Sequence, residues 1–133
     1  MDKRKESISF RGSLADGADV WLQERVKENG TIEGVRVRFY SGQELSLKVS
    51  IFLEKKGEVP VSLISFASTT DTYISGDDDY FVFPVVVPVK YDDHVKVYVE
   101  NDNGDGFAYH YAVDVDIDYY GGQRRIVGGV YGG

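Results

Sequence analysis

The sequence predicts an all-β fold, a single-domain antiparallel β-sandwich of about eight strands with jelly-roll-like order and extended N- and C-terminal arms. Three features support this. Apolar residues alternate with polar ones in short runs, as half-buried strands require. Turn signals rich in Gly, Asn and Asp recur about every 8–12 residues. With 133 residues, the chain has the length of one domain with one core.

The first third of the chain contains three predicted strands. A short charged arm at residues 1–6 precedes the first strand, at residues 7–11. Residues 19–28 fit both a strand and one face of a helix. We favour a strand, because the Asn-Gly pair that follows is a strong hairpin signal and leads directly into the β-rich run 31–40. These two strands are therefore expected to pair as a hairpin.

Three further strands are predicted in the middle of the chain. Residues 45–54 alternate aliphatic and polar side chains, and residues 59–66 form the next strand after a Lys-Lys-Gly turn. Residues 80–89 are a dense apolar run that contains Pro84 and Pro88. Because proline cannot donate a hydrogen bond to a strand ladder, this strand is expected to be kinked or to lie at a sheet edge.

Residues 91–120 form the last part of the predicted sandwich domain, which spans residues 7–120. Two long alternating runs flank a turn at residues 101–106, which predicts a second β-hairpin. Its apolar face carries Val95, Val97, Val99, Tyr109, Tyr111, Val113, Val115, Ile117 and Tyr119. Its other face is anionic and carries His110, Asp114, Asp116 and Asp118.

Charge and composition restrict the classes of partner. The net charge of −7 and the pI near 4.7 argue against nucleic acid. No run approaches the roughly 20 apolar residues of a membrane helix, and no apolar segment follows the basic N-terminus, so neither a membrane partner nor a signal peptide is predicted. The absence of cysteine excludes disulfides and thiolate metal sites.

The acids are unevenly distributed. Residues 71–118 contain twelve acids and two lysines, whereas the rest of the chain is close to neutral. This polarity suits contact between unlike surfaces of neighbouring copies, and it also fits the simpler interpretation that the acids keep a β protein soluble.

The C-terminal arm, residues 121–133, contains six glycines around two small apolar pairs. Ordering so many backbone units costs more free energy than burying four side chains returns. We therefore expect this arm to dock on a neighbouring molecule, and its deletion to abolish assembly without changing the β circular dichroism. The predicted interface residues are Arg124, Arg125, Ile126, Val127, Val130 and Tyr131.

One metal site is a candidate. Asn101, Asn103 and Asp105 match the first half of an EF-hand calcium loop, in which oxygen ligands alternate. The glutamate expected at the twelfth position is replaced by Ala112, and the flanking segments are strands. A plain turn is the simpler interpretation, so calcium is the one candidate cofactor and no other is expected.

Catalytic patterns are weak. Asp114, Asp116 and Asp118 are spaced about 6.6 Å apart in succession along one strand face, within range of a glycosidase pair. Three identical acids in a row instead suggest a uniform exposed stripe. His94 and His110 have neither a cysteine nor a second histidine close by in the sequence, and no Gly-x-Ser-x-Gly elbow is present. We expect a protein that is not an enzyme.

Residues 31–40, 73–81 and 114–119 resemble small β-sandwich accessory proteins of bacteriophage and archaeal virions, which include capsid-decoration and head-fibre proteins. The resemblance implies a non-enzymatic jelly roll that oligomerises, commonly as a trimer, on a capsid lattice. It also implies terminal arms that clamp neighbouring subunits. It transfers no individual functional residue.

The leading hypothesis is therefore a structural assembly protein, a virion accessory or capsid-decoration subunit. Its partners would be copies of itself and a larger lattice such as a major capsid protein, and its location the virion or the extracellular space. The alternative is an extracellular carbohydrate-binding or adhesion module, with calcium as a candidate stabilising ion. Ten Tyr, seven Phe and one Trp provide aromatic rings for stacking on sugars.

Overall fold

The computed structural model describes residues 4–42, 46–64, 73–102 and 104–119. The eight strands expected from the sequence are present. They are β1 (Arg4–Leu14), β2 (Asp19–Arg25), β3 (Gly30–Phe39), β4 (Leu47–Glu54), β5 (Val61–Ser62), β6 (Asp79–Val89), β7 (His94–Asn101) and β8 (Tyr109–Tyr119). Within the described ranges, no helix is long and apolar enough to cross a membrane.

The strands form two four-stranded antiparallel sheets. Sheet A has the order β1-β8-β3-β6, and sheet B the order β2-β7-β4-β5. The first strand pairs with the last, the second with the seventh, the third with the sixth and the fourth with the fifth. This nesting is that of a long hairpin rolled into two layers, so the jelly-roll prediction is confirmed.

The core lies between the two sheets and is built from the alternating positions that the sequence indicated. Val95, Val97 and Val99 are fully buried on β7, and Val113 and Val115 are fully buried on β8. Aliphatic residues of β3 and β4 meet them from the two layers. The fully buried residues on those strands are Ile32, Val35, Val37, Phe39, Leu47, Val49 and Ile51.

The predicted hairpin at residues 91–120 is wrong. Strand β7 lies in sheet B between β2 and β4, whereas β8 lies in sheet A between β1 and β3. Both strands turn their apolar faces into the same core, and they do so from opposite layers. The loop between them therefore crosses from one sheet to the other instead of closing a tight turn.

The strand assigned to residues 19–28 is confirmed as β2, but the predicted hairpin with the following strand is wrong, because β2 and β3 lie in different sheets. Gly30 is the first residue of β3 and serves close packing. A Cβ at this position would lie 2.6 Å from the Asp118 carbonyl oxygen and 3.0 Å from the Tyr119 Cα. The glycine lets the β3 and β8 backbones approach each other.

Several boundaries also differ from the sequence prediction. Strand β1 begins at Arg4, so part of the expected N-terminal arm extends this strand, and residues 1–3 lie outside the described residues. Strand β5 has only two residues, whereas residues 59–66 were expected. Strand β6 lies at the edge of sheet A, as its prolines indicated. The C-terminal arm, residues 121–133, lies outside the described residues.

Candidate interaction surfaces

The acidic face of β8 is not the uniform exposed stripe that the sequence suggested. Asp114 is 8% exposed and Asp118 is 5% exposed, while Asp116 is half-buried. Strand β8 lies inside sheet A, so long side chains from β1 and β3 reach over its acids. The expectation of an exposed stripe is therefore wrong, since it depended on which strands lie beside β8.

Two arginines pair with two of the three acids on this face. The Arg36 Nε and Nη2 atoms donate to the two carboxylate oxygens of Asp116 at 2.9 and 2.8 Å, a bidentate pair. The Arg11 Nη2 atom donates to the two oxygens of Asp114 at 3.1 and 3.0 Å. The Ser7 hydroxyl also donates to Asp116, at 2.6 Å. The outer face of sheet A is thus an interlocked ladder of opposite charges.

The ion pair between Asp116 and Arg36 shifts the pKa of each group in the direction that favours its charged form. Partial burial raises the pKa of the Asp116 carboxyl, but hydrogen bonds from Arg36 and Ser7 outweigh it, so the net pKa lies below its ordinary value. The Arg36 pKa is raised, chiefly by its hydrogen bond to Asp116. Both groups therefore stay charged at neutral pH, as a structural ion pair requires.

The edge of sheet A carries an apolar surface, which we call the β6 strip. Its members are the outward-facing residues of β6, all of them apolar or aromatic and exposed to solvent: Tyr80, Val82, Pro84, Val86 and Pro88. Val82 is 59% exposed and Val86 is 78% exposed. An exposed run of this kind on one strand face is typical of a protein interaction site.

A shallow groove of about 720 Å³ runs from the β6 strip across sheet A to β1. Gly34 lies at its middle, where the register of β3 with its neighbours shifts between Ile32 and Gly34. Val82 and Pro84 line the β6 side, Ser7 lines the β1 side, and Asp116 of β8 lies between them. The groove thus joins the apolar strip to the charged ladder.

The outer face of sheet B carries an aromatic cluster, which we call the sheet B platform: Trp21 of β2, Phe52 of β4 and Tyr98 of β7. The Trp21 ring centroid lies 4.8 Å from that of Tyr98 and 5.7 Å from that of Phe52. The planes are tilted by 39° and 36°, so the indole contacts both rings at an angle. Trp21 nevertheless remains 60% exposed.

Asn101 and Asp105, the predicted calcium ligands that the structure describes, stabilise the loop that crosses from β7 to β8. Asn101 is buried, and its amide nitrogen donates to the carbonyl oxygens of Leu14, at 2.9 Å, and Phe107, at 3.1 Å. The Asp105 carboxylate accepts from the Phe107 backbone N–H at 2.8 Å. Asn103 lies outside the described residues, among which no group of three acids or histidines could hold a metal. Calcium stays a prediction from the sequence.

The histidines lie far apart on different sheets. His94 pairs in register with Arg25 and Glu54 on sheet B, and the His110 ring contacts Tyr40 edge-on at 6.3 Å on sheet A. The predicted interface residues of the C-terminal arm all lie outside the described residues: Arg124, Arg125, Ile126, Val127, Val130 and Tyr131.

No protein-family model matches this sequence, and no curated protein matches it. Solved structures share its fold. VP2 in the subviral particle of infectious bursal disease virus superposes with a TM-score of 0.56 over 91% of this chain, at 14% identity. The chain spans 33% of that VP2 chain.

Two bacterial structures are also similar. The Yersinia pseudotuberculosis-derived mitogen gives a TM-score of 0.50 at 9% identity, over 83% of this chain and 84% of that chain. CBM32-1 from a Clostridium perfringens family 31 glycoside hydrolase gives 0.46 at 14% identity, over 84% and 75% of the two chains. At these identities, the matches to VP2 and the mitogen show a shared fold alone.

Sequence reasoning missed both surfaces as sites. For the β6 strip a signal was present, because residues 80–89 are apolar on both strand faces and yet contain two prolines. An edge strand that is apolar on both faces has one face left over for a partner. For the sheet B platform the sequence held no equivalent signal, since its three rings come from three separate strands.

Proposed function

We propose that this chain is a non-enzymatic structural module of a virion, of the accessory or capsid-decoration kind. It would stabilise a lattice through contacts with copies of itself and with a larger partner such as a major capsid protein. The observation that carries this proposal is the β6 strip, an exposed apolar face on an edge strand. The virion or extracellular location inferred from the sequence belongs to the same proposal.

Charge complementarity favours a second copy of the chain as the occupant of the strip. The exposed acids Asp77, Asp78 and Asp79 lie at the start of β6, and the exposed Lys90 follows its end. In a two-fold contact whose axis is perpendicular to the strands, the two strips run antiparallel, so the acidic end of one copy meets the basic end of the other. The apolar positions between them then lie against each other.

The strip packs side chains and does not extend the sheet. Pro84 and Pro88 have no N–H to offer to an additional strand, so they protect the edge against backbone pairing. The strip is about 27 Å long and about 10 Å wide, which gives about 300 Å² per copy. Stable complexes of standard size bury about 800 Å² per partner. One such contact is therefore weak.

Weak contacts suit a lattice. Several of them in one subunit act together, because each contact raises the effective concentration for the next. An isolated subunit would then associate only at high concentration, while a lattice would hold it firmly. The C-terminal arm, residues 121–133, would supply a second contact per subunit.

The test is sedimentation velocity of the full chain between about 10 µM and 1 mM. The wild-type average mass is expected to rise across this range, and the double variant Val82→Asp/Val86→Asp to remain monomeric. Val59→Asp is the matched control, because Val59 is 82% exposed and lies outside the strip. A monomeric wild type, or a double variant that associates like the wild type, would contradict the proposal.

Truncation after Tyr120 tests the arm separately. The last strand ends at Tyr119, so the truncation removes no residue of the eight strands. Its β circular dichroism should match that of the full chain, while assembly should be lost. Unaltered assembly would count against the arm but would leave the result for the strip unaffected.

A further inference from the structure

We propose that the sheet B platform binds a neutral saccharide through stacking on Trp21. This site is separate from the proposed assembly contact, because it lies on the opposite sheet from the β6 strip.

The three rings form one contiguous aromatic surface. Trp21 and Tyr98 are paired across β2 and β7, and Phe52 lies on the next strand, β4. Contact with both neighbours holds the Trp21 indole over the sheet, while its 60% exposure leaves a large apolar area facing solvent. An exposed aromatic area of this size is available for stacking on a ligand.

A sugar ring fits such a support. One face of a pyranose presents C–H groups with partial positive charge, and the face of an aromatic ring is negative. The hydroxyl groups at the rim of the sugar need both donors and acceptors around the stack. Gln23, Lys96 and Glu54 supply them on the same outer face, with the Lys96 Nζ atom 3.0 Å from the Glu54 carboxylate.

The charges on this face favour a neutral ligand. The outer positions of β2, β4 and β7 carry three acids and three cations, which are Asp19, Glu54, Glu100, Arg25, Lys48 and Lys96. An anionic polymer such as nucleic acid or a sulfated glycan would require a positive excess, and this face has none. Both signs side by side suit the hydroxyl groups of an uncharged sugar.

The size of the platform limits the ligand. From β2 to β4 the sheet spans two strand spacings, about 10 Å, which is the length of about two pyranose rings. Tyr73 lies beyond β4, with the Lys48 Nζ atom 5.2 Å from its ring centroid, and extends the surface at that side. A short stretch of a longer chain is therefore the expected ligand, held weakly.

The test uses intrinsic fluorescence, because Trp21 is the one tryptophan in the chain. The full chain is titrated with hexasaccharides of glucose, xylose, mannose and N-acetylglucosamine up to about 10 mM. At least one is expected to shift the Trp21 emission in a saturable way. By calorimetry, Trp21→Ala should weaken binding of that sugar by about tenfold or more, as loss of a stacking ring does for nucleotide bases.

Phe107→Ala is the matched control, since Phe107 is 64% exposed but lies in the loop before β8. It should bind like the wild type, and Val82→Asp/Val86→Asp should do so too if sugar binding and assembly are separate. No response to any hexasaccharide, or equal affinity of Trp21→Ala and wild type, would overturn the proposal. A parallel titration with heparin provides the anionic control. A Trp21 emission that changes only with heparin, or only with protein concentration, would also overturn the proposal.

Discussion

The Asp116 carboxylate links β8 to its two neighbouring strands, because it accepts hydrogen bonds from Ser7 of β1 and Arg36 of β3. Its pair with Arg36 holds its pKa below the ordinary value, so the folded state binds a proton less readily than the unfolded state. The stabilisation is therefore fully present above the unfolded pKa near 3.8, and it is lost as the pH falls through the lower folded value.

Replacing this carboxylate should remove that pH dependence. Asp116→Asn is expected to lower the free energy of unfolding at pH 7 by about 1 kcal/mol, a modest loss because both partners are about one-third exposed. Urea denaturation from pH 7 to pH 2.5 measures it. The difference from wild type should be constant above about pH 5 and should shrink below about pH 4.

Asp102→Asn is the control for this experiment, since Asp102 is an exposed acid on the crossing loop. It should leave the free energy of unfolding close to that of the wild type. A difference between Asp116→Asn and wild type that stays constant down to pH 2.5 would show that the pair with Arg36 does not stabilise the charged carboxylate.

Asn101 ties together two of the connections that cross between the sheets at one end of the sandwich. Its amide nitrogen donates to the carbonyl oxygen of Leu14, at the end of β1, and to that of Phe107, in the loop before β8. The Asp16 carboxylate supports the same arrangement by accepting from the backbone N–H groups of Gly104 and Gly106 at 3.0 and 2.9 Å. Buried donors of this kind are costly to remove.

Asn101→Ala should therefore destabilise the fold by about 2–4 kcal/mol, because two carbonyl oxygens lose their donor in an environment where water has little access. Urea denaturation measures the loss. Asn29→Ala is the matched control: Asn29 is exposed and accepts one hydrogen bond, from the Tyr91 backbone N–H. A loss for Asn101→Ala no greater than for Asn29→Ala would show that this tie is dispensable.

The rolled-up topology brings the two ends of the described chain together. Arg4 pairs in register with Tyr119, and every residue of β1 is aligned with one of β8. Most contacts therefore close long loops, and the loop-closure entropy must be overcome before these pairings form.

Because most strand pairings close long loops, we expect the chain to refold slowly. Stopped-flow circular dichroism, after dilution from urea, is expected to show a time constant between about a millisecond and a few seconds. Folding within tens of microseconds would be typical of local contacts and would contradict the nested strand pairing.

The two outer faces of the sandwich differ in their surface chemistry. Sheet A combines a charge ladder with the apolar β6 strip, and sheet B carries exposed aromatic rings among balanced charges. The two layers are held by a common core, so a change to one outer face should leave the other intact. This separation is what makes assembly and sugar binding testable independently in the same chain.

The strands, their inward positions and the edge location of β6 could be predicted from the sequence. Alternation with a period of two places every second residue on the same face of a strand. The apolar face is then buried in the core, whichever strand lies alongside. Val95, Val97 and Val99 were therefore identified as core residues, and Pro84 and Pro88 indicated an edge. These are local properties, because each one can be recognised from the residues of a single strand.

Strand pairing was decided only in the tertiary structure. The turn-like residues before β8 predicted a hairpin, and a local pattern cannot distinguish a turn within one sheet from a crossing between two. The same limit applies to the acids of β8: the sequence placed them on one face, but Arg11 and Arg36, distant along the chain, cover that face. Alternation determines which way a side chain points, and long-range packing determines what it meets there.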